Sequence, residues 1–143
     1  MSNAWRTAIA RRKPSKPIAA LEKDGRIVGR VLDYGSGRGY DASYLGAECY
    51  DPHFEPVMPD GLFDTIVCNY VLNVIPSVEE REAVVADIRS RLKCDGRAYV
   101  SVRTDKGALN GYTKTGSWQG LVVLDAPVVA KCNGFKTYEL CKE

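Results

Sequence analysis

The stretch Arg30-Val31-Leu32-Asp33-Tyr34-Gly35-Ser36-Gly37-Arg38-Gly39-Tyr40-Asp41 predicts a buried strand that runs into a glycine turn and then into a helix. The strand is indicated by the apolar residues Val28, Val31 and Leu32. Glycine occupies every second position of the turn, which lets the backbone approach a ligand closely. The sequence therefore predicts a ligand-binding turn at a strand–helix junction, with an ordinary tight turn as the alternative.

The spacing of the glycines separates two kinds of ligand-binding turn. The dinucleotide pattern G-x-G-x-x-G would require glycine at position 40, which is Tyr40. The pattern present is D-x-G-x-G-x-G, beginning at Asp33, and it resembles motif I of the class I S-adenosylmethionine (SAM) dependent methyltransferases. This resemblance implies that the turn passes under the methionine and ribose parts of SAM. An acid at the strand end suits SAM because the cofactor carries a sulfonium and an ammonium.

A second strand is predicted to end in Asp51, eighteen residues after Asp33. In Rossmann-like folds a carboxylate about 20 residues after the glycine turn accepts hydrogen bonds from ribose hydroxyls. The alternative for Asp51 is a turn residue, because Asp-Pro commonly opens a turn and Pro52 follows. With the resemblance to motif I, we expect the ribose role.

A third motif covers residues 63–75 and resembles the strand 4 block of the same methyltransferases. The resemblance implies that Cys68, Asn69 and Tyr70 face the methionine end of SAM and the acceptor, at the carboxyl end of a parallel strand. We expect Asn69 and Tyr70 to be the catalytic residues. The block contains neither the N-P-P-Y tetrad nor the Pro-Cys pair of the well-known DNA methyltransferases, so their chemistry is not carried over.

These motifs together define an expected cofactor site in which Asp33 supports the turn and, through water, the ammonium of SAM. The glycines admit the cofactor. The predicted cofactor-binding residues are Asp33, Tyr34, Gly35, Ser36, Gly37, Gly39, Asp51, Pro52, Cys68 and Asn69.

The chain departs from the family pattern between Asp51 and Phe63, where a helix, a strand and another helix are expected. Only ten residues, His53 to Leu62, stand between the Asp51-Pro52 pair and Phe63, and they are rich in proline and acids. The sheet should therefore lack its third strand together with the loop that commonly contacts adenine. We expect His53, Phe54 or the 56–59 loop to cover adenine instead.

The second half of the chain predicts one more crossover helix and further strands. Ser77 and Glu80 form a capping-box pattern at the start of a helix expected to run to about Lys93. A strand over 97–102 should follow, then a polar, glycine-rich loop over 103–120 on the cleft side. Further elements are predicted at the following places: a strand at 121–124, a short helix at 128–132 and an edge strand at 135–140.

The expected fold is a minimal Rossmann-like α/β methyltransferase fold, with a mostly parallel sheet and helices on both faces. At 143 residues the chain predicts a single domain, 18–143, after a basic arm, 1–17. Five cysteines without C-x-x-C pairs and one histidine argue against a metal site. No apolar run approaches the roughly 20 residues of a membrane span, so we expect a cytoplasmic protein without membrane contact.

The charge of the chain is distributed unevenly. Residues 1–30 contain eight Lys or Arg against two acids, whereas the remainder contains twelve against sixteen. The segment Arg6–Arg11 resembles the opening of small bacterial and phage methyltransferases, including those associated with DNA phosphorothioation. A basic arm is consistent with a nucleic-acid partner, although such runs are often only solvated.

Three functions are compatible with this sequence. The first is methyl transfer to a nitrogen or oxygen of a small molecule or nucleotide, which is slightly favoured. The second is nucleic-acid methylation with the arm on the phosphates, and the third is a SAM-binding module without transfer activity. Candidate acceptor-binding residues are Arg11, Arg103 and Trp118. The oligomeric state is not predicted.

Overall fold

The computed structural model describes residues 13–104, 111–112 and 118–143, which form a central sheet with helices on both faces. The helices of this part of the chain are α1 (Lys16–Lys23), α2 (Tyr40–Leu45) and α3 (Val78–Ser90), with a 3₁₀ turn at Leu72–Val74. The strands are β1 (Val31–Tyr34), β2 (Glu48–Tyr50), β3 (Phe63–Asn69), β4 (Leu92–Arg103), β5 (Gly111–Tyr112), β6 (Trp118–Gln119), β7 (Val128–Cys132) and β8 (Phe135–Leu140).

The main sheet has the strand order β2-β1-β3-β4-β8-β7. The four strands from β2 to β4 are parallel, β8 is antiparallel to β4, and β7 is antiparallel to β8. Strand order reverses between β1 and β3, so this is the switch point where an open α/β sheet binds ligands. The mostly parallel Rossmann-like fold is confirmed. The predicted loss of the third strand is confirmed as well, since β2 lies at the sheet edge and residues 51–62 contribute only a single bridge.

Two apolar clusters fill the two faces of the sheet, because alternate residues of each strand point to opposite sides. On one face, Ile88 of α3 shares a cluster with Leu32 and Ile66. On the other face, Ile18 of α1 lies in a cluster with Val67. All five side chains are fully buried, so the sheet is covered on both sides.

Helix α3 begins as the sequence predicts but ends earlier. The amide of Glu80 donates a hydrogen bond of 3.1 Å to Ser77 Oγ, which caps the helix. The helix ends at Ser90 and β4 already begins at Leu92, so the helix predicted to reach Lys93 is shorter by three residues. Strand β4 begins at Leu92, earlier in the sequence than predicted, because Leu92 pairs with Phe63 of β3 across a bulge.

Two predictions for the C-terminal region are wrong. Residues 128–132 form strand β7 rather than a helix, because they pair with β8 through a two-residue turn. Residues 121–124 form no strand. At the other end, α1 begins at Lys16, so the predicted boundary between arm and domain falls inside a helix.

Arg30 stabilises the short connection, residues 51–62, that replaces the third strand. Its Nε and Nη2 donate to the two carboxylate oxygens of Glu48 at 2.6 and 2.9 Å. Nη2 also donates to the carbonyl of Asp60 at 2.7 Å, and the guanidinium lies 4.2 Å from the centroid of the Phe63 ring. Gly61 stands beside it with φ 91°, where a Cβ would come within 2.5 Å of Arg30 Nη1. One side chain thus joins the edge strand, the connection and β3.

We expect Arg30→Ala to lower the Tm by several degrees, because the substitution releases the connection and the edge strand together. Lys93→Ala is the matched control, since Lys93 makes one ion pair of 3.2 Å with Asp64 on the exposed surface. Thermal unfolding followed by circular dichroism measures both variants. Equal Tm values for the two variants would show that Arg30 has no special role.

Candidate active site

The glycine turn is fixed by the end of the neighbouring strand. The amides of Gly35 and Ser36 both donate to the carbonyl of Tyr50, at 2.6 and 3.0 Å. Gly35 has φ 80°, and a Cβ at this position would lie 2.4 Å from Val71 Cγ2. The turn therefore requires glycine here both for its backbone conformation and for its contact with the segment after β3.

The far side of the turn leads into α2 through two more left-handed glycines. Gly37 has φ 56° and Gly39 has φ 86°. Asp41, in the first turn of α2, accepts hydrogen bonds from Ser15 N at 2.9 Å and from Ser15 Oγ at 2.7 Å. Ser15 is almost completely buried, so the segment before α1 is fastened next to the glycine turn.

Asp51 binds backbone amides on both sides of the cleft. Its Oδ2 accepts from Gly37 N at 2.8 Å, and its Oδ1 accepts from His53 N at 2.9 Å and Phe54 N at 3.0 Å. The contacts to His53 and Phe54 belong to a turn in which an aspartate caps the residues that follow it. Asp51 thus makes the hydrogen bonds of a turn residue and also holds the glycine turn in place, while its ribose role stays a prediction.

Asp33 is a buried acid at the end of β1, with 3% of its surface exposed. Burial, which is the main cause, and the negative charges of Asp41 and Asp51 together raise the pKa of its carboxyl from 3.8 to about 8. A carboxyl in this environment favours a nearby cation, since a cation would compensate the cost of ionising it. Asp33 therefore fits the positive end of a ligand in the cleft.

Asn69 and Tyr70 lie where β3 ends. Both polar atoms of the Asn69 amide, Oδ1 and Nδ2, are buried without a hydrogen-bond partner in the described part of the chain. Tyr70 has φ 62°, which is a left-handed conformation rare for a bulky residue, and its amide donates to Ser101 O at 2.8 Å. Unsatisfied polar atoms and backbone strain at a strand end are typical of ligand-binding sites.

An open cleft of about 290 Å³ lies beside the glycine turn. Phe54 forms part of its wall, with the His53 ring 4.7 Å away edge-to-face and the Arg38 guanidinium 5.5 Å above the ring centroid. The residues that line the cleft are Gly37, Arg38, Gly39, Cys49, Phe54 and Glu55. An aromatic wall beside a polar rim suits a flat heterocycle with a polar substituent.

The side chains of two predicted cofactor residues point away from the cleft. Tyr34 is buried on the α3 face, where its hydroxyl donates to Asp87 Oδ2 at 2.7 Å. Cys68 is completely buried on the same face, and burial raises the pKa of its thiol well above its usual value. Strand alternation explains both placements, because these residues alternate with Asp33 and Asn69 along their strands. Only their backbones remain for contact with a ligand.

The remaining predicted residues lie on the rim or outside the described chain. Pro52 is exposed in the turn after Asp51, and Ser36 lies in the glycine turn beside Cys49. Arg103 ends β4 opposite Phe135. Arg11 lies outside the described residues.

Trp118 is half-buried and has the Arg81 guanidinium 5.4 Å from its ring. The residue after it, Gln119, accepts a hydrogen bond of 3.0 Å from Asn73 Nδ2, and the amide of Gly120 donates to Asn73 O at 2.9 Å. These bonds join β6 to the 3₁₀ turn after β3. Trp118 is therefore held next to the 3₁₀ turn that follows β3, in contact with the Arg81 guanidinium.

Sequence reasoning missed Arg38, Cys49 and Glu55 as cleft residues. The signal for Glu55 was available, since the Asp51-Pro52 turn opener predicts that the chain reverses within a few residues. The bridge between Asp51 and Glu55 is that reversal. The described residues contain no cluster of ligands suited to a metal ion.

Comparison with known proteins gives a family and a fold. A family profile described as a methyltransferase domain matches residues 5–123. No curated protein matches the sequence. No helix within the described residues has the length and apolar character needed to cross a membrane.

Several solved structures share the fold at low sequence identity. The 1,6-didemethyltoxoflavin-N1-methyltransferase of Burkholderia thailandensis, bound to that substrate and to S-adenosylhomocysteine (SAH), has a TM-score of 0.63 and 17% identity, covering 87% of this chain and 76% of its own. A DhpI complex with SAM has a TM-score of 0.56 and 18% sequence identity, and the match covers 86% of this chain and 83% of the DhpI chain. The glycopeptide N-methyltransferase MtfA has a TM-score of 0.52 and 17% sequence identity, and the match covers 68% of this chain and 61% of the MtfA chain.

We expect Asp33→Asn to make the ligand-free protein more stable at high pH. The pKa of Asp33 is about 8 in the folded protein and near 3.8 when unfolded, so the folded state holds this proton more tightly. The ionised carboxyl therefore costs stability, a cost that is absent below pH 4, grows as pH rises and is complete above about pH 8. Asparagine removes this cost.

Urea unfolding of both proteins at pH 5 and pH 9 measures the difference. The stability of the variant relative to wild type should rise by more than about 1 kcal/mol between the two pH values, since each pKa unit corresponds to about 1.4 kcal/mol. If the free energy of unfolding of the variant relative to wild type is the same at both pH values, the pKa of Asp33 is not raised.

Proposed function

Because this chain belongs to the methyltransferase domain family, and is a class I SAM-dependent methyltransferase, we propose that it transfers the SAM methyl group to a nitrogen or oxygen of a small-molecule acceptor. The single observation that carries the site assignment is the Asn69 amide, which is buried and unpaired at the carboxyl end of β3. An amide in this state gains hydrogen bonds when a polar ligand arrives.

The residues around the glycine turn fit SAM in charge and in shape. Asp33 would favour its cationic methionine end, and Gly37 and Gly39 line the cleft without presenting a side chain to it. Asn69 would orient the amino or carboxylate group, and Phe54 would cover adenine. The polar groups at the ends of β1 and β3 and the aromatic wall of the cleft thus match the two ends of the cofactor.

When bound, SAM supplies an activated methyl group on a sulfonium, which is a good leaving group. The protein then has to hold the acceptor in line with that methyl group and exclude water. Tyr70, held in its left-handed conformation at the end of β3, and Trp118, held next to the 3₁₀ turn that follows, would contact the acceptor. Alignment rather than a dedicated base is the role we assign to these residues.

A small acceptor is supported by the structural neighbours. The Burkholderia thailandensis enzyme is named for methylation of 1,6-didemethyltoxoflavin, and MtfA for methylation of a glycopeptide. Transfer of radiolabelled methyl from SAM to a panel of nitrogen heterocycles, amines and phenols tests the proposal. Failure with every class, despite SAM binding, would favour a SAM-binding module without transfer activity.

Nucleic acid is the second candidate acceptor, since residues 1–30 carry eight basic side chains against two acids. DNA and RNA therefore belong in the same panel. If a nucleic acid is methylated through phosphate contacts, its binding should weaken steeply with added salt. Methylation of nucleic acid alone would replace the small-molecule proposal.

We expect Asn69→Leu to weaken SAH binding by roughly 10- to 100-fold without lowering the Tm, because the unpaired amide contributes nothing to the ligand-free fold. Asn73→Leu is the matched control, since Asn73 is buried and already bonded to Gln119. This control should lower the Tm instead. Calorimetric titration of SAH and thermal unfolding provide the two readouts.

The opposite pattern would contradict the role of Asn69. If Asn69→Leu lowers the Tm as much as Asn73→Leu and leaves SAH affinity unchanged, the side chain is structural.

We expect SAM binding near pH 7 to release protons, because a cation next to Asp33 lowers the pKa of a carboxyl that stands at about 8 in the ligand-free protein. Titrations in buffers of different ionisation enthalpy measure the number of protons released. Asp33→Asn should lose this release and bind SAM more weakly. Equal proton release in both proteins would exclude Asp33 as its source.

A further inference from the structure

The cleft beside the glycine turn contains a carboxylate that the motifs do not predict. Glu55 lines this cleft together with Phe54 and Cys49. Its side chain is exposed, and no ion pair to it is found among the described residues. Glu55 is therefore available to a ligand that enters the cleft.

Asp51, which precedes it in the turn, is engaged elsewhere. Both of its carboxylate oxygens accept backbone hydrogen bonds, from Gly37 on one side and from His53 and Phe54 on the other. These three bonds hold the two walls of the cleft together. A carboxylate has about four acceptor positions, so Asp51 could not accept both ribose hydroxyls without losing one of these bonds.

The short connection after β2 brings Glu55 back to the cleft. The amide of Asp51 donates to the carbonyl of Glu55, and the amide of Glu55 donates to the carbonyl of Asp51, both at 2.9 Å. This pair of bonds closes a tight reversal of the chain. Glu55 thus stands directly across from Asp51, with its backbone fixed.

Glu55 and Cys49 line the same cleft, and the Glu55 charge acts on the Cys49 thiol. Burial is the main cause that raises the pKa of Cys49, and the negative charges of Asp33 and Glu55 raise it as well. Cys49 lines the same cleft and pairs with Asp33 in the sheet. The negative charge of Glu55 therefore acts on the wall of the cleft, next to the glycine turn.

We propose that Glu55, and not Asp51, accepts the hydrogen bonds of the two ribose hydroxyls of the cofactor, while Asp51 positions the glycine turn. This inference rests on the proposed function, since it requires SAM in the cleft. A carboxylate with two free oxygens can accept one hydrogen bond from each hydroxyl of the diol. The shortened connection would thus supply a replacement for the carboxylate at the end of β2.

Three variants separate the two carboxylates. Glu55→Gln keeps the shape and removes the charge, Asp51→Asn does the same in the turn, and Glu82→Gln is a control on the exposed surface of α3. Each is titrated with SAH and with its 2′,3′-dideoxyribose analogue, and the Tm of each ligand-free protein is measured.

We expect Glu55→Gln to bind SAH about 10- to 100-fold more weakly with an unchanged Tm. The analogue should bind wild type and Glu55→Gln equally, because it lacks the hydroxyls that Glu55 would recognise. Asp51→Asn should lower the Tm, and Glu82→Gln should behave as wild type in every measurement.

Two results would overturn the inference alone. The first is that Glu55→Gln binds SAH as tightly as the wild type does. The second is that Glu55→Gln loses as much affinity for the dideoxy analogue as it loses for SAH. If the wild type binds neither SAM nor SAH, the proposed function fails and this inference fails with it.

Discussion

The hydrogen bonds of the Asp51 carboxylate are the constraint on which the cleft depends. One oxygen holds Gly37 in the glycine turn, and the other holds the turn after β2. The carbonyl of Tyr50, next to it, binds two further amides of the glycine turn. Through these contacts the end of β2 sets the distance between the cleft walls, although β2 is an edge strand of only three residues.

A short edge strand needs support from elsewhere, and Arg30 provides it at the opposite end of the sheet. Its guanidinium bonds Glu48 of β2 and the carbonyl of Asp60, and it lies over the Phe63 ring. The helix, strand and helix expected between residues 51 and 63 are thus replaced by a tight reversal at one end and an arginine contact at the other. The chain keeps the ligand-binding switch point although these three elements are missing.

The site holds polar groups whose arrangement favours a ligand over the ligand-free fold. Asp33 is buried with a raised pKa, the Asn69 amide has no partner among the described residues, and Tyr70 has a strained backbone. Each costs stability in the absence of a ligand, because burial of unpaired polar groups and left-handed conformations are unfavourable. Their concentration at the carboxyl ends of β1 and β3 is what a preorganised site for a polar, cationic cofactor requires.

The sequence by itself determined the strand, glycine turn and helix at 30–41, the capped helix after Ser77 and the absence of a third strand. Local rules decide these features: glycine permits left-handed turns, serine caps a helix, and ten residues are too few for three elements. Tertiary structure decided which face each side chain takes, and so removed Tyr34 and Cys68 from the cleft and brought Glu55 into it. It also made 128–132 a strand, because pairing with β8 outweighs local preference. The β7–β8 hairpin is held on the sheet by the pairing of β8 with β4, which joins segments far apart in the sequence.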